Sequence, residues 1–411
     1  MYYNILDFEA KKDTICTKSI QAAIDTCSLN GGGVVVVPSG VYVSGTVWLK
    51  NNVELHLQTG AVLKASTNMD DYNDEDAYPQ NWGCVNEKWK AKHLIIGLEC
   101  NNVAVTGNGT IDGNGDSFFG EERVFYPGYA WDGGYVTSKD EEKLRPGQLI
   151  CFIESSNIKV SDISIANIPC WGVFFHGCEY VQVSGIKITN PFEYVNTDGI
   201  DIDCCRFVTV SDCIINTGDD AIAIRCDSQK LNNFKVCENI TITNCVLASN
   251  SSVFRVGVGV GEIRHVRVSN LVVSRAGNLI TYATSYMGRG EAHIEDISFT
   301  DISAYNVCRM IDCVVEKGTV KNAVMKNMSI NARGGICIVQ KDEGCISDLT
   351  LGDIKLEVNE KKKPDEKYLV NVSGTNKVVL DNINVLCIED DWEEVFHLQD
   401  NRGLVVKGDK L

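Results

Sequence analysis

No apolar stretch in this chain of 411 residues approaches the roughly 18 needed to cross a bilayer as a helix. The opening Met1-Tyr2-Tyr3-Asn4-Ile5-Leu6-Asp7 has neither the basic start nor the apolar stretch of a secretory leader, so a cytoplasmic location is expected. There are 18 cysteines, yet no Cys-x-x-Cys pair and no cluster at zinc-like spacing. Spread through a large chain, with Cys178, Cys213 and Cys245 at or beside strand positions, they read as buried free thiols, not a disulfide framework. Basic residues are outnumbered, 38 Lys and Arg against 55 Asp and Glu, for a formal net charge of −17. That field repels nucleic acid and anionic membranes, and neither is expected as a partner. It also disfavours a long polyanionic substrate unless local basic residues offset it.

What the chain has is repetition. Hydrophobic residues make up 44% of it, ample for a core. From about residue 155 an alternating apolar pattern returns, as Ile158-Lys159-Val160-Ser161-Asp162-Ile163-Ser164-Ile165, then from Val181, and again from Val208. Later copies begin at Ile240, Val266, Ile297, Ala323, Leu349 and Val378, giving steps of 23, 27, 32, 26, 31, 26, 26 and 29 residues. Period-two alternation means strand, and the Asn, Asp and Gly between runs mean turns. A repeat of this length with little helical periodicity predicts an all-β fold, a right-handed parallel β-helix. The Leu-x-x-Leu-x-Leu-x-x-Asn signature of a leucine-rich repeat is absent, and a propeller would need antiparallel blades.

Residues 17–27 have apolar side chains at helical spacing and a hydroxyl residue to cap them, predicting a helix that closes the open end of the solenoid. The cap spans about residues 1–30. Residues of about 66–95 and 116–147 lack alternation and read as loops over the side of the column. Their aromatics Trp82, Trp89, Tyr126, Tyr129 and Trp131 could stack on sugar rings or pack the loops down. No linker divides the chain, so residues 1–411 are expected to be one domain.

Two acidic signatures follow one another, Asn196-Thr197-Asp198-Gly199-Ile200-Asp201 and Gly218-Asp219-Asp220-Ala221-Ile222. Asp198 and Asp219 are 21 residues apart, with strand and turn between them. Cleaving a glycosidic bond with inversion needs such a group: one carboxyl protonates the leaving oxygen while others deprotonate a water. The alternative is that Asp-Gly and Gly-Asp-Asp are ordinary turns.

These residues resemble glycoside hydrolase family 28, the polygalacturonase family of right-handed β-helices. The opening Ile5–Asp13 segment, Gly31-Gly32-Gly33, Cys170-Trp171 and Phe175-His176 fit its pattern, and the resemblance runs from about residue 4 to 305. It implies that Asp219 is the general acid, that Asp198 and Asp220 hold and activate the water, and that Asn196 and Gly199 shape the turn presenting Asp198. Gly218 would permit the bend that brings Asp219 and Asp220 into one site. An oligosaccharide substrate is implied, and no cofactor or metal.

Two features of the family are missing. Ser252 stands where the family's Gly-His-Gly has its His, and Leu279 and Thr281 occupy the basic places of its Arg-Ile-Lys signature. Losing two cations from a sugar-acid subsite would cost roughly 1.5–3 kcal/mol per charged hydrogen bond. Arg225 and Arg255 could compensate, or each could make an ordinary surface ion pair. His176 is a candidate sugar donor or a core histidine. Ser252 and Tyr282 complete the expected substrate contacts. The expected activity is exo-acting hydrolysis of plant cell-wall oligosaccharides. A calcium-dependent polysaccharide lyase with Arg255 as base, and a non-catalytic carbohydrate-binding solenoid, are the alternatives.

Overall fold

The computed structural model describes residues 1–73, 83–84, 89–124, 134–138, 145–288, 290–359, 367–387 and 392–408. They belong to two compact units, Met1–Phe125 with Gly133–Asp219 in one, and Asp220–Leu411 in the other. Trp82, Tyr126, Tyr129 and Trp131 lie outside the described residues.

In the first unit the strands stack in three parallel ladders. One runs from Tyr2–Asn4 through Gly33–Val37, Val53–Leu57, Asn101–Gly107, Ser156–Ser161 and Glu179–Ser184 to Arg206–Ser211. The second goes from Gly40–Ser44 to Ile214–Thr217. The third goes from Val47–Trp48 to Ile200–Asp203. Successive coils give one strand to each ladder, which is the parallel β-helix that the alternation predicts, right-handed as parallel crossovers are. The second unit is built likewise from parallel strands between Ile222–Asp227 and Val405–Lys407.

The repeat copies are also the pairing register. In the first unit Ile158 faces Val181, and Val181 faces Val208. In the second Ile240 faces Val266, Val266 faces Ile297, Ile297 faces Ala323, and Leu349 faces Val378. Register is this well fixed because a slip of one residue would turn each apolar side chain outward. The turns agree. Asp162, Gly185 and Asp212 in the first unit, and Asn244, Asn270, Asp301, Asn327, Asp353 and Asn382 in the second, have φ between 52° and 67°. Gly, Asn and Asp are the residues that tolerate this left-handed backbone. Their side chains link coil to coil, as Asn270 Nδ2 donates to Asn244 Oδ1 at 2.8 Å.

The helix Thr17–Leu29 buries Ile20, Ala23, Ile24 and Cys27. Its capping differs from expectation: the residue before it is Cys16, with no side-chain cap bond. Thr17 Oγ1 instead accepts from the backbone N–H of Gly45 at 2.8 Å. The helix serves the sheet edge through Gln21, whose amide donates to Trp48 O at 3.0 Å and accepts from Trp48 N at 2.7 Å. Those backbone groups would otherwise be open to pairing. No described helix is long and apolar enough to cross a membrane. The described cysteines are free thiols, most of them buried, as in the sequence reading.

Candidate active site

The turn that carries Asp198 is tied down by residues distant in sequence. Asn196 adopts φ 55°, the left-handed conformation that Asn supports at low cost. Its Oδ1 accepts from Arg145 Nη2 at 2.7 Å, and Arg145 Nη1 donates to the carbonyls of Pro169 and Val195 at 2.9 and 3.0 Å. Arg145 is 1% exposed and lies 5.1 Å from the Phe119 ring centroid. Phe119 in turn stacks on Tyr194, centroids 4.0 Å apart. Tyr194 donates to Asp116 Oδ1 at 2.8 Å, and burial with that bond pushes its phenol up to about 12. The stretch of about 116–147, read from sequence as a loop, therefore holds short strands (Phe119–Val124 antiparallel to Tyr135–Ser138) and a clamp on the turn before Asp198. Trp89 likewise packs down, 4% exposed and 5.6 Å from Trp171.

Asp219 is brought to that turn. Its backbone N–H reaches Thr197 O at 3.5 Å, and its Oδ2 accepts from Asn196 N at 3.2 Å. One carboxylate oxygen of Asp198 and one of Asp219 lie within 4.8 Å of each other, and the two residues are 5% and 6% exposed. Gly218 is needed for room, not for a bend through the left-handed region. A Cβ there would lie 2.1 Å from the Tyr194 carbonyl oxygen and 2.6 Å from Thr197 Oγ1. Thr197 Oγ1 accepts from Gly218 N at 3.1 Å and donates to Tyr194 O at 2.8 Å, which locks the second acidic signature onto the first.

Asp220, the next residue, begins the second unit and is 3% exposed. Its Oδ1 accepts from Ser252 N at 3.1 Å and Arg255 Nη2 at 3.0 Å, and its Oδ2 accepts from Arg255 Nε. Ser252, 2% exposed, points its hydroxyl at Thr281 Oγ1, 2.8 Å away, and Asn278 Nδ2 donates to the same Thr281 oxygen at 3.1 Å. Arg225 is half-buried in Ile222–Asp227, at the register shift between Ile224 and Cys226.

His176, 1% exposed, faces Asp203 in the third ladder of the first unit, its ring 5.3 Å from that of Phe174. His176, Asp203 and Cys204 each have one donor atom within 4.8 Å of the others, a mixture of donor types that zinc accepts. Tyr282 needs correction. It faces Cys313 across the ladder, both are buried, and its 3% exposure belongs to the core row with Ile280 and Ile311. Burial, with the Cys313 thiol beside it, pushes the phenol well above its ordinary range. Tyr282 is a core residue, not a sugar contact.

The model of glycosyl hydrolases family 28 matches residues 27–387. The chain belongs to that family. The match extends well beyond residue 305, where the motif resemblance weakens. A probable polygalacturonase of Vitis vinifera is 28% identical over 306 residues, 72% of this chain and 59% of that protein's length. An endo-polygalacturonase of Pectobacterium carotovorum subsp. carotovorum is 24% identical over 319 residues, 70% of this chain and 77% of that protein. Among solved structures, the family 28 exopolygalacturonase of Yersinia enterocolitica superposes with a TM-score of 0.75 at 18% identity, covering 98% of this chain and 78% of that one. A Thermotoga maritima exopolygalacturonase gives 0.66 at 22% identity, with 93% and 92% covered. Both likenesses establish the fold.

Proposed function

We propose that the protein is an inverting glycoside hydrolase releasing sugar from the ends of plant cell-wall oligosaccharides, pectic or related. Asp219 protonates the leaving oxygen, while Asp198 and Asp220 hold and activate the water. The approach of Asp198 and Asp219 to within 4.8 Å carries this reading, because crowded carboxylates hold a proton that a lone one would lose. Exo-action rests on the long loops and on the exopolygalacturonase relatives of like fold. Against a lyase stands Arg255, which donates to Asp220 and so is not a base.

A specific observation favours a second stereochemistry. The Asp198–Asp219 separation is nearer the roughly 5–5.5 Å of a retaining pair than the roughly 6.5–9.5 Å of an inverting one. The test is therefore the anomer first released from a panel of pectic and hemicellulosic oligosaccharides, followed by NMR. Inversion, abolished by Asp219→Asn, supports water activation. Retention replaces it with Asp198 as nucleophile, and full activity in Asp219→Asn removes the mechanism altogether.

A further inference from the structure

Arg255 was expected to face the substrate, and its bonds point elsewhere. In the second unit it sits on Ser252–Ala283, opposite Ala223, three residues after Asp220. Two of its nitrogens, Nε and Nη2, donate to the two oxygens of Asp220, and the side chains are 12% and 4% exposed. Nη2 also donates to Ser251 Oγ at 3.2 Å, and Cζ lies 5.5 Å from the Tyr286 ring centroid. With Ser252 N–H, the Asp220 carboxylate is thus held by three donors at fixed directions. A two-pronged guanidinium fixes both the position and the plane of a carboxylate, which an ammonium cannot do.

We infer that Arg255 is the positioning residue of Asp220, doing from the strand of Ser252 what that strand's missing imidazole would do. Ser252 itself takes part only through its backbone N–H, since its hydroxyl is committed to Thr281. Arg255 acts on the reaction through Asp220 and makes no clamp on a sugar carboxylate. This rests on the hydrolase reading in which Asp220 helps to activate the water.

The experiment compares wild type, Arg255→Gln, Arg255→Lys, Asp220→Asn and the double variant Arg255→Gln/Asp220→Asn on the best oligosaccharide of the panel. Fold integrity is checked by circular dichroism. Arg255→Gln is expected to lower kcat by about 100-fold with little change in KM, the cost of a misplaced reacting group. Arg255→Lys should stay well below wild type. The double variant should be no slower than Asp220→Asn alone, because groups that act as a unit are lost only once. Guanidinium ion added to Arg255→Gly should restore part of its kcat and nothing to Asp220→Asn. A rise in KM with kcat kept would overturn the inference in favour of a substrate clamp, and so would additive losses in the double variant. If Arg255→Gln and Arg255→Gly do not fold, a fully active Arg255→Lys overturns it alone, since lysine cannot make the fork. Wild type without turnover on any sugar, Asp219→Asn behaving alike, marks failure of the hydrolase reading, and the inference falls with it.

Discussion

The hydroxyls of Ser252 and Thr281 are hydrogen-bonded at 2.8 Å, and these are two of the positions where the family resemblance calls for a cationic or imidazole side chain. The departures are thus coupled: each supplies the other's partner, and Asn278 completes the set. A buried neutral network of this kind is stable only while every member is present. Thr281→Val should cost about 1–2 kcal/mol, because Ser252 and Asn278 lose their common partner. Adding Ser252→Ala should recover part of that loss. Urea unfolding midpoints of the two variants decide it, and equal or additive destabilisation would dissolve the coupling.

Arg145 gives a second expectation. Replacing it with Met leaves the carbonyls of Pro169 and Val195 and the Asn196 amide without their charged donor. We expect a loss of about 2–4 kcal/mol in stability. Turnover should fall at least about 10-fold, since the turn carrying Asp198 loosens. Stability lost with turnover intact would make the clamp purely structural.

Tyr282 offers the opposite sign. Its hydroxyl is buried without a hydrogen-bond partner among the described residues. Removing it in Tyr282→Phe should raise stability by about 1 kcal/mol, the penalty of an unsatisfied buried hydroxyl. Sugar turnover should be unchanged, where a substrate-contacting tyrosine would raise KM.

The thiols set the alkaline limit. Burial pushes the Cys16 thiol up to about 11 from 9.0, and Cys313 rises for the same reason. Between pH 9 and 11 the unfolded chain has released these protons while the native one keeps them, so stability falls as pH rises through that window. Unfolding midpoints at pH 7.5 and pH 10.5 read this directly. With a thiol reagent at pH 8, native protein should react first, among the described cysteines, at the half-buried Cys337, Cys345 and Cys387, and all 18 should react after denaturation.

The fold was legible because the alternation carries its own register. Aligning Val181 with Val208, or Val266 with Ile297, from sequence alone reproduces the pairs that bond. Asp198 and Asp219 were legible for a related reason, since their signatures interrupt a regular pattern. Tyr282 was misplaced because its phenol suggested chemistry, whereas its parity with Ile280 puts it inside. Arg145 left no trace in the sequence. It lies in a stretch without period, and its partners are 24, 50 and 51 residues away.

Neighbouring coils differ in length, 23 then 27 residues in the first unit and 26 then 31 in the second, yet their strands stay in step. The excess goes into the bends, which work as expansion joints. A lineage built on this scaffold can lengthen, shorten or re-clothe one bend, as the stretch around Arg145 illustrates, and reshape what reaches a sugar while the stacked rungs beneath go undisturbed.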